Sequence, residues 1–178
     1  DEMRAAWPHQ FQLRQKIDRA PGQRTVTLDA RNQGQTPLDF TTALHTYLRV
    51  ADLTQVQLAG LERTTVWDTQ AQTSSAFQPP HFGAAIDRIH HVPPPADDDT
   101  FNELQMTLTA PGRTLTLRQS DTLPDVVVWN PGPDAGVADL PGDEWRQFVC
   151  VEAAAVKLPV MLAPGAEWIG WQAITLQR

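Results

Sequence analysis

Cysteine and positive charge are both scarce in this sequence of 178 residues. The single cysteine, Cys150, has no partner for an internal disulfide, so we expect a protein of the reducing cytoplasm. The 14 lysines and arginines stand against 21 aspartates and glutamates, which gives a net charge of −7. Because phosphate binding needs clustered basic side chains, this balance argues against a nucleic-acid partner. No apolar run approaches the length of a membrane span, so we expect no membrane partner.

Helical periodicity is also scarce, whereas strand patterns recur along the chain. The 15 prolines and 10 glycines separate short segments in which polar and apolar residues alternate. Turns at 21–22 and 111–112 predict hairpins, and one short helical turn is predicted within 139–148. The whole pattern predicts a single all-β, sandwich-like domain over residues 1–178. The predicted strands are 11–17, 24–32, 43–50, 56–61, 101–108, 114–119, 125–129, 149–156, 159–162 and 168–176.

The motifs of several enzyme classes are missing. The sequence has no Gly-x-Ser-x-Gly elbow for a serine nucleophile and no glycine-rich phosphate loop. His90 and His91 are adjacent and point to opposite faces of any strand, so they do not form a zinc site together. Asp97, Asp98 and Asp99 lie on an acidic loop, where neighbouring aspartates seldom converge on one calcium ion. We therefore predict no metal site.

The segment 43–50 places a histidine at the centre of a predicted strand. Side chains alternate along a strand, so Leu44, Leu48 and Val50 are expected to face a core. His45 then lies on the opposite, more polar face. On this pattern alone, His45 is either a hydrogen-bonded structural residue or part of an active site.

A second predicted strand repeats this arrangement with a carboxylate. Val149 and Val151 share one face of the segment, while Cys150 and Glu152 share the other. An unpaired carboxylate is costly to bury, so a glutamate in this apolar setting is unusual. If the fold brings Glu152 to His45, the two are candidates for an acid/base pair. Cys150 is a candidate nucleophile beside a histidine, but its valine neighbours are typical of a core position.

Two further segments carry side chains that suit a sugar ligand. In 86–89, Asp87 lies between apolar residues beside an arginine, which indicates either a local ion pair or sugar-binding groups. The segment 125–131 contains Trp129 and Asn130 at a predicted strand end. An aromatic face and an amide are useful for binding carbohydrate hydroxyls, and a tryptophan at this position also serves packing.

Six segments occur in the order seen in the hexose-6-phosphate mutarotases, also called glucose-6-phosphate 1-epimerases, and the sequence resembles that family. These enzymes are relatives of galactose mutarotase and aldose 1-epimerase. Each motif alone is weak, but six in order are specific, and the resemblance covers essentially all 178 residues. The six segments are Ala43-Leu44-His45-Thr46-Tyr47, Gly60-Leu61, Ile86-Asp87-Arg88-Ile89, Val127-Val128-Trp129-Asn130-Pro131, Phe148-Val149-Cys150-Val151-Glu152-Ala153 and Leu162-Ala163-Pro164-Gly165.

The resemblance implies a large antiparallel β-sandwich, galactose mutarotase-like, with an open sugar-binding face. It implies that His45 is the general acid, that Glu152 is the general base and that Asp87 binds sugar hydroxyls. The implied reaction interconverts the α and β anomers of a hexose 6-phosphate, the expected partner, through the open-chain aldehyde. This chemistry requires neither a metal nor a redox cofactor, because a glutamate and a histidine can make the proton transfers.

The sequence departs from the family in one respect. Family members are longer and begin with further strands, which carry a His-Gly-x-x-Arg type segment and basic residues for the phosphate. Because this sequence contains no such segment, we expect it to correspond to the C-terminal portion of a mutarotase, without the N-terminal strands. Two alternatives stay open: a non-catalytic carbohydrate-binding β-sandwich, and an aldose 1-epimerase that acts on unphosphorylated sugar.

Overall fold

Two antiparallel β-sheets form the computed structural model of the protein, which describes residues 7–93, 103–133 and 142–177. Two short 3₁₀ helices, Leu53–Gln55 and Glu144–Gln147, lie between strands, and the second corresponds to the helical turn predicted within 139–148. No helix in these ranges is long and apolar enough to cross a membrane. The strands are β1 Phe11–Ala20, β2 Gln23–Asn32, β3 Leu38–Leu44, β4 Tyr47–Arg49, β5 Gln57–Ala59, β6 Thr65–Asp68, β7 Thr73–Ala76, β8 Ile86–His91, β9 Glu103–Ala110, β10 Arg113–Ser120, β11 Asp125–Asn130, β12 Phe148–Leu162 and β13 Glu167–Gln177.

The order of strands places β13 inside the first sheet and β12 inside the second. The first sheet runs β1-β2-β13-β10-β9-β5 and the second runs β3-β12-β11-β8-β6-β7, with β4 also paired to β12. Both predicted hairpins, β1–β2 and β9–β10, are present. Their turns use Gly22 and Gly112 at φ values of 74° and 77°, a conformation that glycine adopts without steric cost. The prediction of an antiparallel all-β sandwich is confirmed.

The core lies between the sheets, on the faces that alternation predicts to be apolar. Leu108 and Leu117 project from the first sheet, and Val126, Val128 and Val151 from the second; all five are fully buried. Burial of apolar surface contributes about 25 cal/mol per Å², so these side chains determine which face of each strand points inward. The outer face of the second sheet is thereby left for polar side chains.

The predicted strand 43–50 is wrong in one respect, because the structure divides it in two. β3 ends at Leu44 and β4 begins at Tyr47, so His45 and Thr46 lie in a break between strands. Conversely, the strands predicted at 149–156 and 159–162 are a single strand, β12. Its pairing with β3 shifts register between residues 155 and 160, which marks a bulge.

Alternation alone does not predict β6, β7 and β8. β7 reads Thr-Ser-Ser-Ala and is exposed throughout, so it has no apolar face to detect. β8 reads Ile-Asp-Arg-Ile-His-His, in which charged and apolar residues do not follow a period of two. The acidic loop weighed as a calcium site, at 97–99, lies outside the described residues.

Candidate active site

His45 and Glu152 are in direct contact on the outer face of the second sheet. His45 Nδ1 lies 3.3 Å from Glu152 Oε1. The histidine side chain is 50% exposed, whereas the glutamate side chain is 6% exposed. The fold thus brings Glu152 to His45, which meets the condition for an acid/base pair. Their assignment as general acid and general base stays a prediction.

Pairing with β12 positions the histidine. β3 pairs with residues 153–155 and 160–162 of β12, and β4 pairs with residues 148–150. His45 and Thr46 therefore lie beside Val151 and Glu152. The N–H of Val151 donates to the carbonyl of Thr46 at 3.3 Å. The register is the same on both sides of the break, so His45 lies opposite Glu152 and shares its face of the sheet.

Gln172 anchors the same segment from the opposite sheet. Thr46 Oγ1 donates to Gln172 Oε1 at 2.5 Å, and Gln172 Nε2 donates to the carbonyl of Val151 at 2.9 Å. Gln172 belongs to β13 and is 1% exposed. Its amide thus bridges the segment that carries His45 and the strand that carries Glu152. Sequence reasoning missed this residue, because a glutamine in a strand gives no local signal of a contact between sheets.

Four side chains form a row across the strands beside the pair. The register aligns Tyr47 of β4, Cys150 of β12, Trp129 of β11 and Asp87 of β8. Residues directly opposite one another project to the same face of a sheet, and residues two apart on one strand do so as well. The row therefore shares the face of Glu152. This face combines aromatic, acidic and basic side chains.

Aromatic rings surround the histidine. Tyr47 stacks on His45 with the ring centroids 4.9 Å apart and an interplanar angle of 10°. Trp129 meets His45 edge-on at 5.7 Å, and Phe148 packs against both Tyr47 and Trp129. Tyr47 is 55% exposed, so the ring cluster is open to solvent on one side. Ligand sites combine such apolar surface with a few placed polar groups.

Burial raises the pKa of Glu152 above its ordinary value of 4.5. The neighbouring His45 opposes this change by attraction, and the negative charge of Asp87 adds to it by repulsion. The desolvation of the carboxylate is the largest of these effects, so the net direction is upward. A carboxylate with a raised pKa accepts a proton more readily than an exposed one.

Asp87 lies on the same face, two strands away from Glu152. Its neighbour Arg88 projects to the other face and pairs with Asp68, with Nε 3.3 Å from Oδ2. The alternative of a local ion pair between Asp87 and Arg88 is therefore wrong. Asp87 is half-buried and close enough to influence the pKa of Glu152. Its role in binding sugar hydroxyls stays a prediction.

Asn130 has a structural role at the end of β11. Its Nδ2 donates to the carbonyls of Trp145 and Phe148 at 2.8 and 2.9 Å. Its Oδ1 accepts from the N–H of Gly132 at 2.9 Å. The amide is fully buried and is occupied by these three hydrogen bonds. It fixes the turn that follows β11, while its neighbour Trp129 faces the site.

Cys150 adds a third kind of donor atom to the pair. The thiol, the imidazole of His45 and the carboxylate of Glu152 each place one potential ligand atom within 4.8 Å of the others. Cys150 is fully buried. Burial, and to a smaller extent the charge of Glu152, raises the pKa of its thiol. A protonated thiol is a poor nucleophile, which argues against Cys150 as the attacking group.

A second histidine–carboxylate pair lies further along the same face. His91 Nδ1 is 2.5 Å from Asp125 Oδ1, while Asp125 Oδ2 accepts from the N–H groups of Val156 and Lys157 at 2.8 Å each. Those N–H groups belong to the bulge of β12, so Asp125 holds the bulge in place. His90 faces the core, where burial lowers its pKa to about 4. The prediction that His90 and His91 face opposite sides is confirmed.

Comparison with known protein families gives one match over nearly the whole chain. The family model described as Aldose 1-epimerase matches residues 1–175. A protein from Cenchrus ciliaris, provisionally named glucose-6-phosphate 1-epimerase, is 30% identical over 172 residues, which are 92% of this chain and 50% of that protein. A protein from Escherichia coli with the same provisional name is 28% identical over 158 residues, 86% of this chain and 49% of that protein. The chain thus spans about half the length of the curated relatives it matches.

Solved structures show the same fold. A provisionally identified mutarotase from Salmonella typhimurium superposes with a TM-score of 0.83 at 23% identity. The superposition covers 100% of this chain and 57% of the Salmonella chain. A galactose mutarotase-like protein from Clostridium acetobutylicum gives a TM-score of 0.73 at 12% identity. This superposition covers 100% of the present chain and 59% of the Clostridium chain. The predicted galactose mutarotase-like sandwich is confirmed by these matches. The family model, which matches residues 1–175, shows that the chain belongs to the aldose 1-epimerase family.

Proposed function

We propose that this chain carries the acid/base pair of a mutarotase that interconverts the α and β anomers of a hexose 6-phosphate. The observation that carries the proposal is the 3.3 Å contact between the half-exposed His45 and the buried Glu152. Membership of the aldose 1-epimerase family supports the class of reaction. The names of the curated relatives support a phosphorylated hexose as the substrate.

In the proposed reaction, Glu152 removes the proton from the hydroxyl on C1 of the sugar. The C1–oxygen bond of the ring breaks, and His45 gives a proton to the ring oxygen as it leaves. The product is the open-chain aldehyde. Rotation about the C1–C2 bond presents the other face of the aldehyde, and ring closure reverses both proton transfers. Acid and base are restored at the end of each cycle.

The contact between the two side chains suits this chemistry. The hydroxyl oxygen and the ring oxygen are bonded to the same carbon, so an acid and a base that touch each other can reach both oxygens at once. The raised pKa of Glu152 favours it as the base. Histidine exchanges a proton near neutral pH, which suits it to the role of acid.

Three further side chains are placed to hold the sugar. Tyr47 and Trp129 offer aromatic surface on either side of His45. Asp87 offers a carboxylate for hydroxyl groups on the same face. We assign these residues to binding, because none of them lies between the two groups that transfer protons.

Exchange NMR of glucose 6-phosphate in the presence of the protein tests the proposal. We expect Glu152→Gln and His45→Asn each to lower kcat by about 100-fold or more, the usual scale for a positioned proton transfer. Asp87→Asn should mainly raise KM, because Asp87 binds the substrate in ground and transition states alike. His81→Ala, which changes an exposed histidine in a loop, should leave the rate unchanged.

Other results point to the alternatives. Wild-type rates in both Glu152→Gln and His45→Asn would remove these residues from the mechanism. Binding of the sugar phosphate without interconversion would favour a non-catalytic carbohydrate-binding protein. Faster turnover of glucose than of glucose 6-phosphate would favour an aldose 1-epimerase of unphosphorylated sugars.

A further inference from the structure

Donor atoms of three different elements converge at the proposed acid/base pair. One nitrogen of His45, the sulfur of Cys150 and one oxygen of Glu152 all lie within 4.8 Å of one another. The proposed reaction uses the nitrogen and the oxygen and gives the sulfur no task. Zinc accepts all three ligand types. Hard cations such as Mg²⁺ and Ca²⁺ prefer oxygen, so this donor set favours zinc over them.

The distance between two of the three donors suits a tetrahedral ion. Two ligands bound to one zinc ion at about 2.0–2.1 Å lie about 3.3 Å apart in tetrahedral geometry. His45 Nδ1 is 3.3 Å from Glu152 Oε1. Cys150 and Glu152 are two residues apart on β12, so their side chains project from the same face of the sheet, and their ligand atoms lie within 4.8 Å of each other. β12 is paired at this point with β4 on one side and β11 on the other, which makes these two ligands rigid.

The cluster is open on one side. Cys150 is fully buried, and the side chain of Glu152 is nearly so, whereas the side chain of His45 is 50% exposed. An ion can therefore enter past the histidine. Three protein ligands leave the fourth position of a tetrahedral ion open, and a water molecule can complete the coordination.

We propose that Zn²⁺ binds to His45, Cys150 and Glu152 and inhibits the proposed mutarotase reaction. Binding forms a zinc–sulfur bond and releases the thiol proton to solvent. The resulting thiolate and the carboxylate together balance the two positive charges of the ion. The ion occupies the lone pairs of His45 and Glu152 that the proton transfers need. The inhibition rests on the proposed function, whereas the binding does not.

Cobalt(II) provides a test of binding, because a cobalt–thiolate bond gives a charge-transfer absorption band. Titration of the protein with Co²⁺ should produce this band with one ion per chain, and Zn²⁺ should abolish it. Cys150→Ser should remove the band. His45→Ala removes a half-exposed ligand and leaves the core intact, and both variants should weaken zinc binding by about tenfold or more. His81→Ala should bind zinc like the wild type.

The results separate the two proposals. Absence of the cobalt–thiolate band in the wild-type protein, or zinc affinity unchanged in both Cys150→Ser and His45→Ala, would overturn the zinc site. If the band appears but the protein shows no anomer interconversion, the proposed function is wrong and the zinc site stands. If the protein turns over and saturating Zn²⁺ does not slow it, the inhibitory role is wrong. Loss of turnover that follows zinc occupancy is the expected result.

Discussion

At the scale of single residues, Glu152 is subject to two opposing demands. In the proposed reaction its carboxylate must be charged to take a proton from a sugar, yet burial on β12 makes that charge costly and raises its pKa. The contact with His45 offsets part of this cost. Active sites commonly contain groups whose position favours chemistry at the expense of stability.

Glu152→Gln should therefore stabilise the fold near neutral pH while it removes turnover. The pKa of Glu152 is higher in the folded state than in the unfolded chain, so the folded wild type binds the proton more tightly and loses stability as pH rises through that pKa. The variant has no such proton to lose. The difference in unfolding free energy should be smallest well below pH 4.5 and should grow as pH rises. Urea unfolding at a series of pH values measures it.

Glu167→Gln is the matched control for this change. The side chain of Glu167 is 56% exposed and pairs with Arg31, and exposed ion pairs contribute little to stability. Its effect on unfolding should be small and nearly independent of pH. A stability difference between Glu152→Gln and the wild type that stays constant with pH would contradict the raised pKa.

At the scale of elements, the register between β12 and the β3–β4 segment forms the candidate site. Leu44 pairs with Ala153 and Tyr47 pairs with Cys150, so the register is the same on both sides of the interruption and places His45 opposite Glu152. Thr46, on the inner face, reaches through the sandwich to Gln172 of β13. The histidine segment is thus held by the opposite sheet as well as by its neighbour β12.

Gln172→Leu should lower kcat with little change in KM. It removes the hydrogen bonds to the Thr46 hydroxyl, which keeps the Leu44 carbonyl as a partner at 3.2 Å, and to the Val151 carbonyl. The loss should destabilise the fold by about 1–3 kcal/mol. A displacement of about 1 Å between His45 and Glu152 can cost about 100-fold in rate. We therefore expect kcat to fall by about 10- to 100-fold. Exchange NMR and urea unfolding measure the two effects.

Gln177→Leu is the matched control, and it tests whether the effect of Gln172→Leu depends on the position of Gln172 between the two sheets. The amide of Gln177 also donates to a threonine, Thr116, at 2.7 Å, but it does so at the exposed end of the strand. This variant should keep both its stability and its turnover. Equal turnover in Gln172→Leu and Gln177→Leu would show that the bridge between the sheets does not position the site.

Local sequence pattern predicts those elements whose side chains alternate cleanly. β9 and β10 are of this kind, because leucines and one methionine recur at every second position on either side of a Pro-Gly turn. β8 is not, because Asp87, Arg88 and His91 obscure its apolar period. The sequence therefore identifies the segment that carries Asp87 only as a motif and does not predict that it is a strand.

In the candidate site, too, local sequence pattern predicts some residues, whereas contacts between distant segments are not predicted. His45 and Glu152 could be predicted because each follows from the face it occupies and from a family motif. The bridge made by Gln172 could not be predicted from the sequence, and neither could the position of Cys150 beside His45 and Glu152. Their contacts join segments that are distant in sequence, and no periodicity records such contacts.

At the scale of the whole molecule, one edge of the first sheet exposes apolar surface. Phe11, Leu13 and Ile17 alternate along the edge strand β1 and are 47%, 56% and 55% exposed. Phe11 and Leu13 border an apolar recess of ≈ 210 Å³ that also reaches Leu28 and Phe40. Contiguous exposed apolar surface is uncommon in monomeric proteins, and an edge strand offers unpaired backbone groups.

We expect the 178-residue chain to associate with itself through this face as its concentration rises. Leu13→Glu should weaken association by about tenfold or more, because burial of a leucine side chain contributes about 1.5–3 kcal/mol. Gln12→Glu adds the same charge on the opposite face of β1 and should have little effect. Light scattering over a range of concentrations measures the dissociation. A monomer at every concentration would contradict this expectation.

The distance along the chain between His45 and Glu152 has a consequence for folding. More than one hundred residues separate the two, so their contact closes only after β12 has paired with both β3 and β4. Hairpins such as β9–β10 join neighbouring segments and can form early, whereas long-range pairing is slow. Recovery of the proposed turnover during refolding should therefore be a late marker. It reports the completion of the longest connections, while a signal from strand content reports the hairpins that precede them.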